Sequence, residues 1–213
     1  MAETPAAIRP FDIMTASDAE VRRVWELLNA VEREALPDEE PFPFEEHLSY
    51  ERNRAATVVS HEWVAEVDGE VVGEAWSEWE DVPDNRHLAW GGVTVRADHR
   101  RQGLGSRLLL EILRVSEADG RTVVGFDSRP GIPAGEAFVT SIGAERKIVG
   151  HRNGLWMSDL DIAMLNQWVD KAKERAHEYS LIRFDGPCPD EYAERFAALQ
   201  NVMNTAPRDD LDM

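Results

Sequence analysis

Between the run LAWGGVTVR (residues 88–96) and the run SRLLLEILRVSEA (residues 106–118) stand Arg100-Arg101-Gln102-Gly103-Leu104-Gly105. No other stretch limits the fold as much. The first run is rich in strand formers. The second sets Leu108, Leu109, Ile112 and Val115 on one helical face. Gly120 ends that helix, and RTVVGFD (residues 121–127) follows as a further strand. A helix that carries the chain between two strands makes them parallel neighbours in one sheet. The loop therefore opens a β-α-β unit.

Glycine at 103 and 105 removes Cβ where the backbone meets the helix start, so its N–H groups can approach a ligand closely. Helix N-termini favour anions. Arg100 and Arg101 add charge-assisted donors, and Ser106 adds a hydroxyl. The ligand described is a pyrophosphate. The dinucleotide fingerprint needs a third glycine where Leu108 stands, and no Gly-Lys-Ser/Thr run of a P-loop is present. The plain alternative is a tight turn with solvated arginines. Five agreeing features weigh against it: preceding strand, paired arginines, two glycines, amphipathic helix and following strand.

Upstream, AIRPFDIM (residues 7–14) reads as a strand. Ser17 with Glu20 forms a capping box for a helix whose Val21, Val24, Trp25 and Leu28 share a face. Three prolines in residues 35–43 end it, and residues 44–54 read as a second, weaker helix. TVVSHEWVAEV and EVVGEAWSEWE flank Asp68-Gly69, a hairpin signal. With LAWGGVTVR they form an antiparallel meander. Beyond the loop, residues 133–144 read as a helix. Residues 145–161 read as a closing hairpin around Asn153-Gly154. The fold class is mixed α/β, with one domain over residues 1–160.

Residues 161–213 form an extension of helix, strand (YSLIRFD) and helix. Shifted by 172 residues, Asp190, Arg195, Leu199 and Asn201 fall on Asp18, Arg23, Leu27 and Asn29. Any two amphipathic helices share periodicity, so the element order carries more weight than the match.

Charge and cysteine usage narrow the partners. With 41 acidic and 23 basic residues the net charge is −18, which repels nucleic acid. A basic cluster in such a chain suits a small anion. The one cysteine, Cys188, allows no internal disulfide, and a reducing, cytoplasmic setting is expected. No apolar run reaches membrane-spanning length, and the N-terminus lacks the pattern of a secretion signal. The six histidines and lone cysteine show no metal-ligand spacing.

The stretch resembles the GNAT acyltransferase superfamily. Arg100 to Gly105 matches its Arg/Gln-x-x-Gly-x-Gly/Ala signature, and VTVRADHR (residues 93–100) is similar to Val-x-Val-x-Pro-x-x-Arg, with Ala97 in place of proline. The likeness is specific over residues 93–110 and extends in element order over residues 6–160. It implies a GNAT-like fold and an acetyl-CoA site on Val93, Thr94, Val95, Arg100, Arg101, Gln102, Gly103, Leu104, Gly105 and Ser106. It further implies pantetheine pairing with the backbone near Val93 and Val95, and direct attack of an amine on the thioester. The acceptor expected is a small-molecule primary amine. The extension then resembles the start of a second GNAT domain, implying such a domain or a homodimer contact on residues 161–213.

The chain departs from the family at the acid and the base. Val139 stands where many members carry the tyrosine acid, and Ala144 replaces phenylalanine. Ala89 and Gly91 occupy the usual base positions. His87 lies just before them, as either a base or a surface histidine in a turn. Glu74, Glu78 and Glu80 share one strand parity, as either an amine-binding carboxylate row or a solvent face. Trp76, Trp79 and Trp90 are candidates for a cleft wall or for core anchors. An acyl-CoA-binding module without catalysis is the alternative function.

Overall fold

A computed structural model describes residues 6–151 and 153–203. Five strands, β1 (Ala7–Phe11), β2 (Val58–Val67), β3 (Glu70–Glu80), β4 (Leu88–Val95) and β5 (Val123–Gly125), form one sheet in sequence order. The pairs β1–β2, β2–β3 and β3–β4 are antiparallel, and β4–β5 is parallel. This is the expected meander followed by a β-α-β unit. Asp68 (φ 51°) and Gly69 (φ 85°) both take left-handed backbone at the β2–β3 turn, as a tight hairpin with native twist requires.

One sheet face is covered by α1 (Asp18–Ala35), with α2 (Phe44–Arg52) beside it. The capping box at Ser17 and Glu20 is formed. Val21, Val24 and Leu27 pack with Phe11, Ile13, Phe44, Val64 and Val71. The other face carries α3 (Leu104–Ala118), whose Leu104, Leu108 and Ile112 pack on Trp63, Ala65, Val72 and Ala75. Burying each such side chain contributes on the order of 1.5–3 kcal/mol. The hydroxyls of Ser77 and Ser116 meet inside this layer at 3.3 Å. A register shift at Ala65/Glu66 leaves Val72 as the extra residue of β3.

Three expectations fail. Strand β5 covers only Val123–Gly125, not residues 121–127, because its ladder with β4 ends at Trp90 and Gly125. The hairpin around Asn153-Gly154 is absent: none of the described residues of 145–161 is in a strand. Ile148, Val149, Leu155 and Trp156 are exposed there, so no apolar face is buried to hold a hairpin. The strand at residues 179–185 is absent too, and Leu181 is fully exposed. Helices α4 (Pro133–Ser141), α5 (Ile162–Arg175) and α6 (Asp190–Met203) do form.

The chain divides into two compact units, one reaching Glu145 and the next beginning at Arg146. In the second, Asp161 caps α5 through Met164 N–H at 2.9 Å, and Phe184 meets Phe196 edge-on. Trp168, Val169 and Leu199 of that unit are exposed. No helix of the described residues is long and apolar enough to cross a membrane.

Candidate active site

Strand β4 positions everything else. It stays paired with β3 up to Val95↔Gly73, whereas β5 leaves it after Trp90. Among the described residues no strand pairs with residues 91–95 on the β5 side. The alternation of backbone direction along a strand tells which groups face that gap. Arg96 N–H donates toward β3, to Val72 O at 2.9 Å, so Thr94 and Gly92 point that way as well. His87 O accepts from Val123 N–H on the β5 side at 2.9 Å. By the same parity Gly91 C=O, both backbone groups of Val93 and Val95 N–H turn into the gap, while Gly91 N–H belongs to the parallel ladder and Val95 O accepts from Arg100 Nε.

At the end of β4 the chain makes a 3-10 turn (Ala97–His99) and enters the loop. Arg96 and His99 both bind the Asp98 carboxylate at 2.8 Å, and these contacts hold its pKa down at about 2. Arg101 (φ 63°) and Gly103 (φ 79°) are both left-handed, which swings the backbone into α3. Gly103 is the N-cap of α3, and no side chain caps it. The first N–H groups of a helix have no intrahelical acceptor. Unlike α1 and α2, α3 has no acidic residue in its first turn. A Cβ built on Gly105 would lie 3.6 Å from the Phe138 ring of α4 and 4.0 Å from Val93 Cγ1. The uncapped N–H groups thus adjoin the gap beside β4, as the pyrophosphate reading asks.

The two arginines part company. Arg100 turns away from the helix start: its Nε donates to Val95 O at 2.9 Å, and Nη1 and Nη2 donate to Glu34 of α1 at 2.6 and 2.7 Å. Three of its five donors are committed to protein. Arg101 is exposed, and no described residue pairs with its guanidinium. Arg101 is thus the loop cation available to an anion. Gln102 donates to Asp98 O, and Ser106 is exposed.

The carboxylates lie on the sheet face shared with α1 and α2. Cross-strand register sets up rows there: Val64–Glu74–Thr94, Glu62–Trp76–Gly92 and Ser60–Glu78–Trp90. The indoles of Trp76 and Trp90 lie over glycines, since a Cβ on Gly92 would come within 2.3 Å of Trp76 Nε1 and one on Gly125 within 2.7 Å of Trp90. The Glu row is graded: Glu74 is buried, Glu78 half-buried and Glu80 exposed. A solvent face describes only its outer end. Burial, with Glu62 and Glu51 as like charges nearby, pushes the Glu74 carboxyl up to about 8. Thr94 hydrogen-bonds that carboxyl, and Oε2 has no partner.

Glu78 and Glu80 border a cavity of about 320 Å³ with Asp84, Asn85 and Trp90 at the hairpin end of β3 and β4. His87 also lies at that end, just outside β4, which begins at Leu88. Eight residue steps separate it from Val95, roughly 26 Å at strand rise. The structure does not bring His87 to the loop. Trp79 belongs to the opposite face, buried between His61 and Arg121, and is a core anchor. Among the described residues no group of three or more His, Cys, Asp or Glu stands so as to hold a metal ion.

Sequence reasoning missed Glu62 and Arg54, whose charges act on Glu74, and the buried His47 of α2. Two of them leave a signal. Glu62 shares parity with Val64 in β2, and His47 falls on the α2 face of Phe44 and Leu48.

A family model described as the acetyltransferase (GNAT) family matches residues 21–130. Among solved structures, similarity is found to an aminoglycoside acetyltransferase from an uncultured soil metagenomic sample, in complex with sisomicin. Its TM-score is 0.54 at 17% identity, covering 71% of this chain and 97% of that one. The yncA protein of Salmonella typhimurium, with acetyl-CoA as its cofactor, aligns at TM-score 0.53 and 22% identity over 72% of this chain and 89% of its own. A ribosomal-protein-alanine N-acetyltransferase from Brucella melitensis aligns at 0.51 and 18% over 71% and 99%. At these identities the likeness is one of fold.

Proposed function

The chain belongs to the acetyltransferase (GNAT) family, and we propose that it transfers an acetyl group from acetyl-CoA to a primary amine of a small molecule by direct attack. The observation that carries this reading is the uncapped start of α3 beside the outward backbone of Gly91, Val93 and Val95. An anion such as pyrophosphate suits the helix N–H groups, Gly103 and Arg101. An extended arm suits the edge of β4 at Val93, beyond the end of the β5 ladder and before Val95 O, which Arg100 holds. A backbone N–H of that edge is a suitable donor to the acyl oxygen.

In the reaction the amine nitrogen bonds to the acyl carbon, the carbon–sulfur bond breaks, and sulfur leaves as thiolate. The amine must shed a proton, so a base is needed on its path. Of the candidates Glu74, Glu78, Glu80 and His87, Glu74 suits the role best. It is buried opposite Thr94 of β4, and its proton affinity lies near neutrality. The acidic surface favours cationic acceptors, and similarity to an aminoglycoside acetyltransferase puts aminoglycosides and polyamines first in a panel.

Calorimetry with acetyl-CoA, followed by release of the CoA thiol over an amine panel, tests the proposal. Binding without turnover on any amine would favour the second reading, an acyl-CoA-binding module without catalysis. Val139 in the place of a family acid is the observation behind that alternative. The exposed Trp168, Val169 and Leu199 also support a further domain or a second copy packing on residues 161–213, which sedimentation of the full chain addresses.

A further inference from the structure

Strands β4 and β5 part after Trp90 and Gly125, and aromatic rings seated on glycines fill the vertex of the gap they leave. Trp90 lies across Gly125 of the neighbouring strand: a Cβ there would come within 2.7 Å of Cε3 and Cζ3 of the indole. Phe126, the next residue, sits on Gly91. A Cβ on Gly91 would meet Phe126 Cε1 and Ile112 Cγ2, each at 3.2 Å. Trp90 and Gly91 are consecutive in β4, so their side-chain directions fall on opposite faces of the sheet. The vertex is therefore shut from both faces, by the indole on one and by Phe126 with Ile112 on the other. Glycine at 91 and 125 is what lets the rings come that close.

The indole has a second neighbour. Trp90 also lines the cavity of about 320 Å³ at the hairpin end of β3 and β4, with Val58, Val82 and Leu88 as apolar wall. Leu88 and Trp90 stand two residues apart on one face of β4. At about 30 Å³ per water in the liquid, that space equals roughly ten waters, enough for several methylenes. Phe126, in contrast, is backed by Ile112, which is fully buried. Of the two closures, the indole is the one that stands between the vertex and open room.

The course of the donor's arm decides what meets the ring. With its anion at the start of α3, the arm runs back along β4 past Val93 toward Gly91. Val95 to Gly91 is four residue steps, roughly 13 Å at strand rise. The acyl group is the end of the arm remote from the pyrophosphate, so it is the part that arrives at the vertex. Acetyl brings one methyl group. Each further methylene must lift the indole off Gly125 or turn back out of the gap, and a filled interior resists added methylenes.

We propose that Trp90 sets the length of the acyl group, admitting acetyl and turning away longer chains, and that the cavity behind the indole is the room a longer chain would enter if the ring were smaller. The proposal rests on the acetyltransferase reading above and deepens it by naming the residue that selects the donor. Trp90 meets the tail of the acyl group and takes no part in the bond changes.

The test reads binding and needs no acceptor. Calorimetry on the full chain compares CoA, acetyl-CoA, butyryl-CoA and hexanoyl-CoA, and each thioester is referred to CoA within the same protein. A general loss of CoA affinity in a variant then cancels. In the parent, butyryl-CoA should bind at least tenfold more weakly than acetyl-CoA, because a closed apolar pocket discriminates by about 10- to 200-fold per methylene. Trp90→Leu should reduce that ratio tenfold or invert it, with hexanoyl-CoA gaining most. Trp90→Phe should fall between. Butyryl-CoA bound by the parent as tightly as acetyl-CoA would overturn the proposal with no variant needed. Parent-like ratios in folded Trp90→Leu and Trp90→Phe would overturn it too. So would a gain confined to Phe126→Leu, which would put the chain on the α3 face. If the parent binds neither CoA nor any thioester, the acetyltransferase reading itself falls and takes this proposal with it, a result distinct from the other three.

Discussion

Arg100 and Glu34 meet two-on-two, Nη1 to Oε1 at 2.6 Å and Nη2 to Oε2 at 2.7 Å, across 66 residues of chain. The pair ties the glycine loop to the end of α1, while Arg100 Nε holds Val95 O at the end of β4. The Glu34 carboxyl is correspondingly held below its ordinary range, first by the hydrogen bonds from Arg100. An arginine of a phosphate-type signature thus fixes the frame of the loop.

The first prediction follows from that pair. Arg100→Ala and Glu34→Ala should weaken acetyl-CoA binding by similar factors, about three- to tenfold. The double variant should be no worse than the poorer single one, because both lose one contact. Arg101→Ala should cost about tenfold or more, the size of a charge-assisted phosphate contact of roughly 1.5–3 kcal/mol. Calorimetry on the four variants decides. A large loss in Arg100→Ala with none in Glu34→Ala would return the phosphate role to Arg100.

The glycines make separate predictions. Gly105 has ordinary backbone, and a Cβ there would make only normal contact with Phe138 at 3.6 Å. Gly105→Val should therefore fold like the parent and lose acetyl-CoA binding, because its side chain covers the helix N–H groups. Gly103→Ala meets no neighbour within 4 Å but keeps φ near 79°, costing about 1–2 kcal/mol in stability. Parent-like acetyl-CoA affinity in folded Gly105→Val would remove the cradle.

Much of this is legible in the sequence. Periodicity located α1, α3 and the meander, and Asp68-Gly69 marked its turn. Glycine chemistry marked the loop. The parity of Glu74, Glu78 and Glu80 was also correct. What failed has a common cause. Residues 145–161 carry a turn pair at Asn153-Gly154 and residues 179–185 a short apolar run, but a strand exists only against a neighbour, and local sequence does not reveal one. Arg100's partner lay 66 residues away. Glu62, Arg54 and His47 were hidden likewise, since burial of a carboxyl depends on which helix covers its face.

Trp76 and Gly92 test the wall of the cleft. The indole occupies the space a Cβ would need, with Nε1 at 2.3 Å and Cε2 at 2.7 Å from it. Gly92→Ala must displace the ring, at a cost of about 1–3 kcal/mol in stability. If the indole borders the amine's path, the amine KM should rise several-fold with acetyl-CoA affinity unchanged. Parallel losses for both ligands would mean a general distortion of β4 instead.

The base candidates separate by position. Glu74→Gln should lower kcat by roughly 10²-fold, as removal of a positioned base does. His87→Ala should stay within about threefold of the parent, because the histidine sits outside β4 at the end remote from the loop. A 10²-fold loss in His87→Ala with none in Glu74→Gln would reverse the assignment.

Glu74 also makes stability depend on pH, with a definite sign. Its carboxyl titrates near 4.5 in the unfolded chain and at about 8 in the folded one. Between these values the folded state holds a proton that the unfolded state has released, so the slope of stability against pH is negative. The contribution is fully present below pH 4.5 and declines by about 1.4 kcal/mol per pH unit until the folded group ionises near pH 8. Glu74→Gln cannot ionise and lacks this slope. Urea unfolding of both proteins from pH 5 to 9 isolates it, because other groups cancel in the difference. The parent's stability relative to Glu74→Gln should fall steadily to about pH 8 and then level off. A constant difference would show that Glu74 is already ionised at neutral pH, and that its buried oxygen is satisfied in solution by something other than a proton.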